Sequence, residues 1–269
     1  MARTTNDASD KTTPPGDWWR SYFDGGYVNE YSPVFNLVTE REQVMRLMEL
    51  MALPAGSRVL DLACGQGRHA HLLAEAGFDV DGLDLSKDLL KRAKARGTGR
   101  TLRYTRGDMR SLPMLWRKRF DAVVNLFQSF GFFEDPADDA TVIREVARVL
   151  KPGGAFIWQG GNRDGLTDRY LRGDEWTADD GTRVAQSRSF DPVSGFLTVQ
   201  STWTRKRNVE RRVHRLRLYT ATHLTALCAD AGLTVEAAFD SFSHDPLSRR
   251  SHEMLIVARR PAPKRSAAR

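Results

Sequence analysis

The chain has 269 residues, 28% of them charged and 41% hydrophobic, which suits one enlarged soluble domain and excludes a fibrous or wholly disordered chain. Its net charge of +7, from 41 Lys and Arg against 34 Asp and Glu, permits a polyanionic partner without requiring one, because arginine-rich surfaces and tails are common. Cys64 and Cys228 lie too far apart in sequence for a metal-ligand pattern, and no apolar run approaches the ~18 residues of a transmembrane helix.

Residues 1–16 are polar, have no apolar signal core, and read as a disordered tail. Residues 17–52 form the next unit. Its first half is dense in aromatics: Trp18, Trp19, Tyr22, Phe23, Tyr27 and Tyr31. They read either as a staple onto the main domain or as a lid over a ligand. Thr39 and Glu42 have capping-box spacing, and Val44, Leu47, Met48 and Met51 recur at helical intervals. A helix running to about Met51 follows.

The main domain is expected over 53–161 and 220–260. Val59 to Leu62 reads as a buried strand, followed by Gly65-Gln66-Gly67 and a helix from Arg68 to Ala76. Two glycines allow a tight turn against which a ligand can lie. The helix start offers free amides to a polar or anionic group. Gly65, Gly67 and Ala70 also satisfy the loose dinucleotide fingerprint. Asp61, four residues before Gly65, speaks against a pyrophosphate, because two like charges would repel.

A second strand ends at Asp84, 17 residues after Gly67, where a carboxylate can accept from ribose hydroxyls. Ser86 caps the helix from Lys87 to Arg96. A third strand, Thr101 to Thr105, leads to Asp108. A fourth, Phe120 to Phe127, carries Asn125 near its end. A helix from about Ala137 to Leu150 and a fifth strand, Ala155 to Gln159, follow. Alternating strands and helices imply a parallel sheet with helices on both faces. Ligands of such sheets bind beyond the carboxyl ends of the strands, and Asp61, Asp84, Asp108 and Asn125 all fall there.

Residues 162–219 break the alternation. Arg183 to Phe190, Phe196 to Arg205 and Arg211 to Tyr219 read as an antiparallel meander inserted after the fifth strand. It would serve as a substrate cap or a dimer surface. Arg205 to Arg217 contains seven basic residues and one acidic one, read as a solvated strand face rather than a phosphate site. A helix from Ala221 to Ala231 and strands at Thr234 to Phe239 and Glu253 to Ala258 complete the sheet. Residues 261–269 read as a second tail.

With these residues in view, the chain resembles the class I S-adenosylmethionine (SAM) methyltransferases of the bacterial small-molecule branch. Val59 to Ala70, Gly82 to Ser86, Gly107 to Arg110, Asn125 to Phe133, Val149 to Gly154 and Leu255 to Arg259 carry the likeness, as do Asn162 to Asp164 and Arg217 to Thr220. The resemblance implies a doubly wound, mostly parallel seven-stranded sheet, ordered 3-2-1-4-5-7-6 with the seventh strand antiparallel. It implies SAM bound at Asp61, Gly65, Gly67, Asp84, Asp108, Met109 and Asn125; Leu85 beside Asp84, and Tyr22 and Tyr31 of the aromatic segment read as a lid, are further expected cofactor contacts. Two departures stand out. Trp158-Gln159-Gly160-Gly161 replaces a more usual acidic or hydrophobic stretch, and His223 stands where a Glu would complete a capping box.

The expected activity is methyl transfer to nitrogen or oxygen of a small molecule in a cytoplasmic setting, with no membrane and no metal. A homodimer through the insert is a further expectation. Two alternatives remain open: a SAM-binding protein catalysing cyclisation or elimination, and an RNA-modifying protein suggested by the charge. An amine acceptor must be neutral and a hydroxyl usually needs a base. His69, His214, His223, His244 and His252 are candidates by type, but no triad can be read and no base is assigned.

Overall fold

The structure, a computed structural model, describes Pro14 and residues 16–262. The tails expected at 1–16 and 261–269 fall largely outside the described residues. The chain opens with two short helices, α1 (Trp19–Tyr22) and α2 (Gly25–Glu30), then α3 (Leu37–Met51). The cap of α3 is Asn36, whose side-chain oxygen accepts from the amides of Val38 and Thr39. The Thr39–Glu42 box is therefore inside the helix, displaced by an earlier Asn that satisfies the same orphan donors.

The core then follows the expected alternation: β1 (Arg58–Leu62), α4 (Arg68–Glu75), β2 (Asp79–Asp84), α5 (Lys87–Arg96), β3 (Leu102–Arg106), β4 (Phe120–Asn125), α6 (Pro136–Val149) and β5 (Leu150–Gly161). After α7 (Asp168–Arg172) come β6 (Glu175–Thr177), β7 (Arg183–Phe190), β8 (Phe196–Arg205) and β9 (Asn208–Arg217). The core resumes with α8 (Ala221–Asp230), β10 (Thr234–Asp240) and β11 (Glu253–Arg259). Seven strands form one sheet in the order β10-β11-β5-β4-β1-β2-β3. β11 is antiparallel to both neighbours and the other pairings are parallel, the arrangement implied by the resemblance.

Valines, leucines and phenylalanines fill both faces of this sheet. Leu60, Val123 and Phe156 belong to one buried layer, and Val59, Val80 and Val124 to the other. Burial on two faces is why these strands read as continuous apolar runs rather than alternating ones. The insert is a separate antiparallel sheet, β6-β7-β8-β9. It has four strands rather than three, because the three-residue β6 is too short to show a period. Leu197, Val199, Leu216 and Leu218 form its own small core.

Two contacts fix the insert against the parallel sheet. The amide of Arg217 donates to the Gly131 carbonyl at 2.7 Å. A Cβ on Gly131 would lie 2.3 Å from the Arg217 oxygen, and its φ is +85°, so only glycine permits the approach. Tyr219 donates to the buried Asp139 carboxylate at 2.6 Å. Three of the four arginines of β9 are held by other segments, while Arg205, Lys206, Arg207 and Arg211 of the basic run are exposed. Arg212 pairs with Asp24 and Arg215 with Glu134, while Arg217 donates to the carbonyls of Ser194 and Glu134. No helix of the described residues is long and apolar enough to cross a membrane.

Candidate active site

Parallel strands deliver their last residues to one edge of the sheet. Asp61 on β1, Asp84 at the end of β2, and Leu85, Asp108 and Met109 just beyond β2 and β3 line a cleft there with Gly65. The cleft holds about 970 Å³, counting its open mouth. Gly65 sits at φ +55°, and a Cβ there would meet only Leu89, at 3.8 Å. The turn it makes is held by Asp84, whose carboxylate accepts from the Gly65 amide at 2.8 Å and the Ser86 amide at 2.7 Å. Ser86 in turn caps α5 and donates its hydroxyl to the Phe23 carbonyl at 2.6 Å.

Asp61 and Asp84 are both buried, at 3% and 8% exposure. Burial raises the Asp61 carboxyl, and the charge of Asp84 raises it further. The Ala70 amide and Arg68 pull the other way, and the result is about 7. Burial raises Asp84 too, opposed by its backbone amides. Two buried carboxylates that repel each other are a costly arrangement until a cation arrives. SAM carries an ammonium and a sulfonium, so this donor set fits it and would repel a pyrophosphate. Among the described residues the one arginine or lysine lining this cleft, Arg68, is held by Glu40 at 2.8 Å and stacks over Phe35 and Phe127.

Other expected residues take different places. Asp108 lines the cleft, but its carboxylate is engaged by Arg110, with contacts of 2.7–3.2 Å. Burial would raise it; these bonds hold it below the ordinary carboxylate range. Gly67 stands behind the cleft, where a Cβ would meet the Tyr104 hydroxyl at 2.4 Å. Its absent side chain serves the packing of the turn. Asn125 is also behind the wall: its Nδ2 donates to the carbonyls of Leu62 and Ser129. Tyr22 and Tyr31 line a second chamber rather than the cleft. His69 is buried, its Nε2 lies 2.8 Å from Gln43 Oε1, and burial and Arg68 hold it neutral, down to about 3.

The second chamber lies between the sheet edge, the N-terminal segment and the insert, with about 1510 Å³ including its mouth. Aliphatic side chains of β8 and β9 form one wall. Tyr22, Tyr31 and His214 form another, and Asp240, Arg250, His252 and Glu253 lie toward the polar end. Five residues border both spaces: Phe23, Tyr27, Phe127, Ser129 and Phe132. Phe127 and Gln128 both adopt left-handed backbone, at φ +58° and +61°. Consecutive non-glycine residues in that region store strain and persist only where the surroundings enforce it. Gln159 is what enforces it here. Its Oε1 accepts from the Phe127 amide at 2.8 Å, and its Nε2 donates to Glu253 at 2.9 Å. The unusual Gln159-Gly160-Gly161 stretch thus holds the junction. A Cβ at either glycine would crowd Gln128, at 3.0 and 2.8 Å. No turn signal in the sequence marks Phe127 and Gln128, because the enforcing residue lies 32 positions away.

Comparison with known proteins agrees with this geometry. The family profile named "Methyltransferase domain" matches residues 59–154. The cypemycin N-terminal methyltransferase of a Streptomyces species is 30% identical over 226 residues, covering 76% of this chain and 84% of that protein. The dTDP-3-amino-3,4,6-trideoxy-alpha-D-glucopyranose N,N-dimethyltransferase of Streptomyces venezuelae is 34% identical over 131 residues, 49% of each chain; this chain spans about half of that relative. Among solved structures, the CcbJ methyltransferase of Streptomyces caelestis superposes with a TM-score of 0.73 at 21% identity, covering 87% of this chain and 96% of that one.

Proposed function

The chain belongs to the class I SAM-dependent methyltransferases, and we propose that it transfers the methyl group to a small molecule held in the second chamber. The observation that carries this reading is the shared border at Phe23, Tyr27, Phe127, Ser129 and Phe132. A cofactor in the acidic cleft and an acceptor in the aliphatic chamber would meet there. The two relatives named above are N-methyltransferases by name, which supports nitrogen as the acceptor atom.

Bound SAM would supply a methyl group on a sulfonium, which leaves as a neutral thioether after in-line attack. The chain's own task is to orient and desolvate. In this reading Asp61 and Asp84 hold the cationic and ribose portions of SAM, and Leu85 and Met109 flank its base. Gly67 and Asn125 shape the cleft from behind. The segment 17–52 is the lid: Trp19, Phe23, Tyr27 and Phe35 border the cleft from that side. The insert 162–219 is the acceptor cap, since β7, β8 and β9 all contribute to the chamber wall. A homodimer through the open edge of β9 and a cytoplasmic setting, where SAM is made and thiols stay reduced, complete the proposal.

The test is a screen of small amines and alcohols with SAM, read by mass spectrometry for one added methyl and for S-adenosylhomocysteine (SAH). Methylation of a small molecule is expected. SAM binding with transfer only to RNA, or a product without the added methyl, would replace this reading.

A further inference from the structure

Glu30, the last residue of α2, is wholly buried, with 0% exposure. Its hydrogen-bonded side-chain partners are Tyr22, whose hydroxyl donates at 3.3 Å, and Gln186, whose amide donates at 3.1 Å. Neither is a cation. The arginine on the same wall, Arg188, is committed to Asp174 at 2.7 Å, to the Gln186 oxygen and to the Tyr170 carbonyl. Arg212 is taken by Asp24 and Glu210. His214, whose ring lies 4.7 Å from that of Tyr22, is held neutral by burial and by Arg188, down to about 3. Ser201, which accepts from the Gln186 amide at 3.0 Å, and Trp203 are neutral neighbours on β8. Burial raises the Glu30 carboxyl, and its hydrogen bonds oppose the rise.

An acid in such a place is costly unless a positive charge completes it. Glu30 does not border the second chamber, but Tyr22 and Gln186 both do. Tyr22 uses its proton on Glu30, so toward a ligand that reaches it its oxygen can only accept, strengthened by the carboxylate behind it. Tyr27 and Tyr31 stand beside it, with ring centroids 6.1 Å from Tyr22 to Tyr27 and 5.0 Å from Tyr27 to Tyr31. Aromatic faces attract a desolvated cation. The Tyr22 oxygen, the carboxylate behind it and the aromatic faces favour a positively charged N–H donor over a neutral hydroxyl, while Arg188 on the same wall is neutralised by Asp174.

We infer that the Tyr22–Glu30 couple is the element that selects an amine acceptor arriving as its ammonium: Tyr22 accepts a hydrogen bond from the nitrogen, and as that proton passes to the Tyr22 oxygen the Tyr22 hydroxyl proton passes to Glu30, leaving the nitrogen neutral for attack and Glu30 protonated. This rests on the reading of the second chamber as the acceptor site and narrows it from nitrogen or oxygen to amines. Tyr22 contacts the acceptor; Glu30 is a positioning residue.

The test uses two probes of one shape, benzylammonium and benzyl alcohol, titrated by calorimetry into the full chain saturated with SAH at neutral pH. Wild type should prefer the ammonium by about tenfold or more. Glu30→Gln and Tyr22→Phe should each remove most of that preference while leaving SAH affinity unchanged and benzyl alcohol affinity little changed, and the thermal midpoint of Glu30→Gln should hold or rise because a buried charge is removed. A purely structural role would weaken both probes together. If Glu30→Gln does not fold, Tyr22→Phe alone decides, since it keeps the ring and its packing. No preference in wild type, no ammonium binding, or a preference that survives in either folded variant overturns the inference. A screen that yields only O-methylated small molecules would also overturn it while leaving the proposed function intact.

Discussion

The cleft and the second chamber share five bordering residues but are built in different ways. The polar groups of the cleft come from the ends of neighbouring parallel strands and the turns after them. Asp61, Gly65 and Asp84 lie within 24 positions of one another, and β1 and β2 pair directly. The chamber is assembled from three regions far apart in the chain. Gln186 reaches Glu30 across 156 residues and Tyr31 across 155. A site made by adjacent strand ends tolerates variation elsewhere. A site made across an insert is set by the docking of that insert. The same fold can therefore keep its cofactor while its acceptor changes. The distinction predicts that substitutions in the cleft move SAM affinity and that substitutions in the insert move acceptor affinity.

The largest effect is expected at Asp84. Its carboxylate holds the Gly65 turn through two backbone amides, so it is part of the frame as well as a ligand group. Asp84→Ala leaves two buried donors unpaired, each costing about 1–3 kcal/mol. SAM affinity should fall by roughly two decades or more, and the thermal midpoint should fall with it. Asp84→Asn keeps one acceptor and should lose less of both. Calorimetry with SAM and thermal unfolding of the two variants check this. Wild-type SAM affinity in Asp84→Ala would show that the cleft is not the cofactor site.

Asp61→Asn should separate binding from stability. Removing one of two repelling buried carboxylates relieves the free protein, so its thermal midpoint should hold or rise. The lost charge should cost SAM roughly one to two decades of affinity, as for hydrogen bonds to a charged group. A variant that loses stability together with affinity would mean that Asp61 is compensated in the free protein, contrary to its raised pKa.

How far each region could be read from sequence follows from the same contrast. The glycine turn, Asp61 and Asp84 were legible because local chemistry forces them: a tight turn needs glycine, and parallel strands end at one edge. The order of the sheet came through the family resemblance, and the structure agrees with it. Gly67 and Asn125 were legible as residues of the turn and the strand end, but not as groups facing away from the cleft, since orientation depends on Tyr104 and Ser129. Glu30 was invisible. No local pattern marks it, and its partner Gln186 comes from the insert, 156 residues away. Tyr22 and Tyr31 were expected at the cofactor, yet they line the chamber with residues of β7 and β9.

A smaller effect is expected from pH. The folded Asp61 carboxyl lies near 7 in the free protein, above its ordinary value of 3.8. The stability it contributes is therefore full at low pH and lost as pH rises toward 7. A cationic ligand prefers the ionised form, so SAM affinity should rise with pH up to about 7, by at most about tenfold per unit, and then level. Asp61→Asn should lack this rise. Comparing the two proteins from pH 5 to 8 isolates the Asp61 contribution from the ligand's own titration. Parallel profiles would place the cation elsewhere.

The smallest effect is expected at the seam between the N-terminal segment and the insert, where Arg212 bonds both Asp24 oxygens, at 2.9 and 3.1 Å. Its guanidinium also lies 4.0 Å over the Trp203 ring, and Asp24 caps α2 through the Tyr27 amide. Asp24 is partly exposed, so solvent weakens the pair to about 1 kcal/mol, with a comparable loss from the ring contact. Arg212→Ala should lower the thermal midpoint slightly and loosen α2, which carries Tyr27 and Glu30. The cleft keeps Asp61, Gly65 and Asp84, none of which touches Arg212. SAM affinity should therefore change by less than about threefold, while the acceptor KM rises by roughly five- to tenfold. Equal losses of cofactor and acceptor affinity would show that the N-terminal segment closes both spaces as one body, and the two regions could no longer be treated as separate.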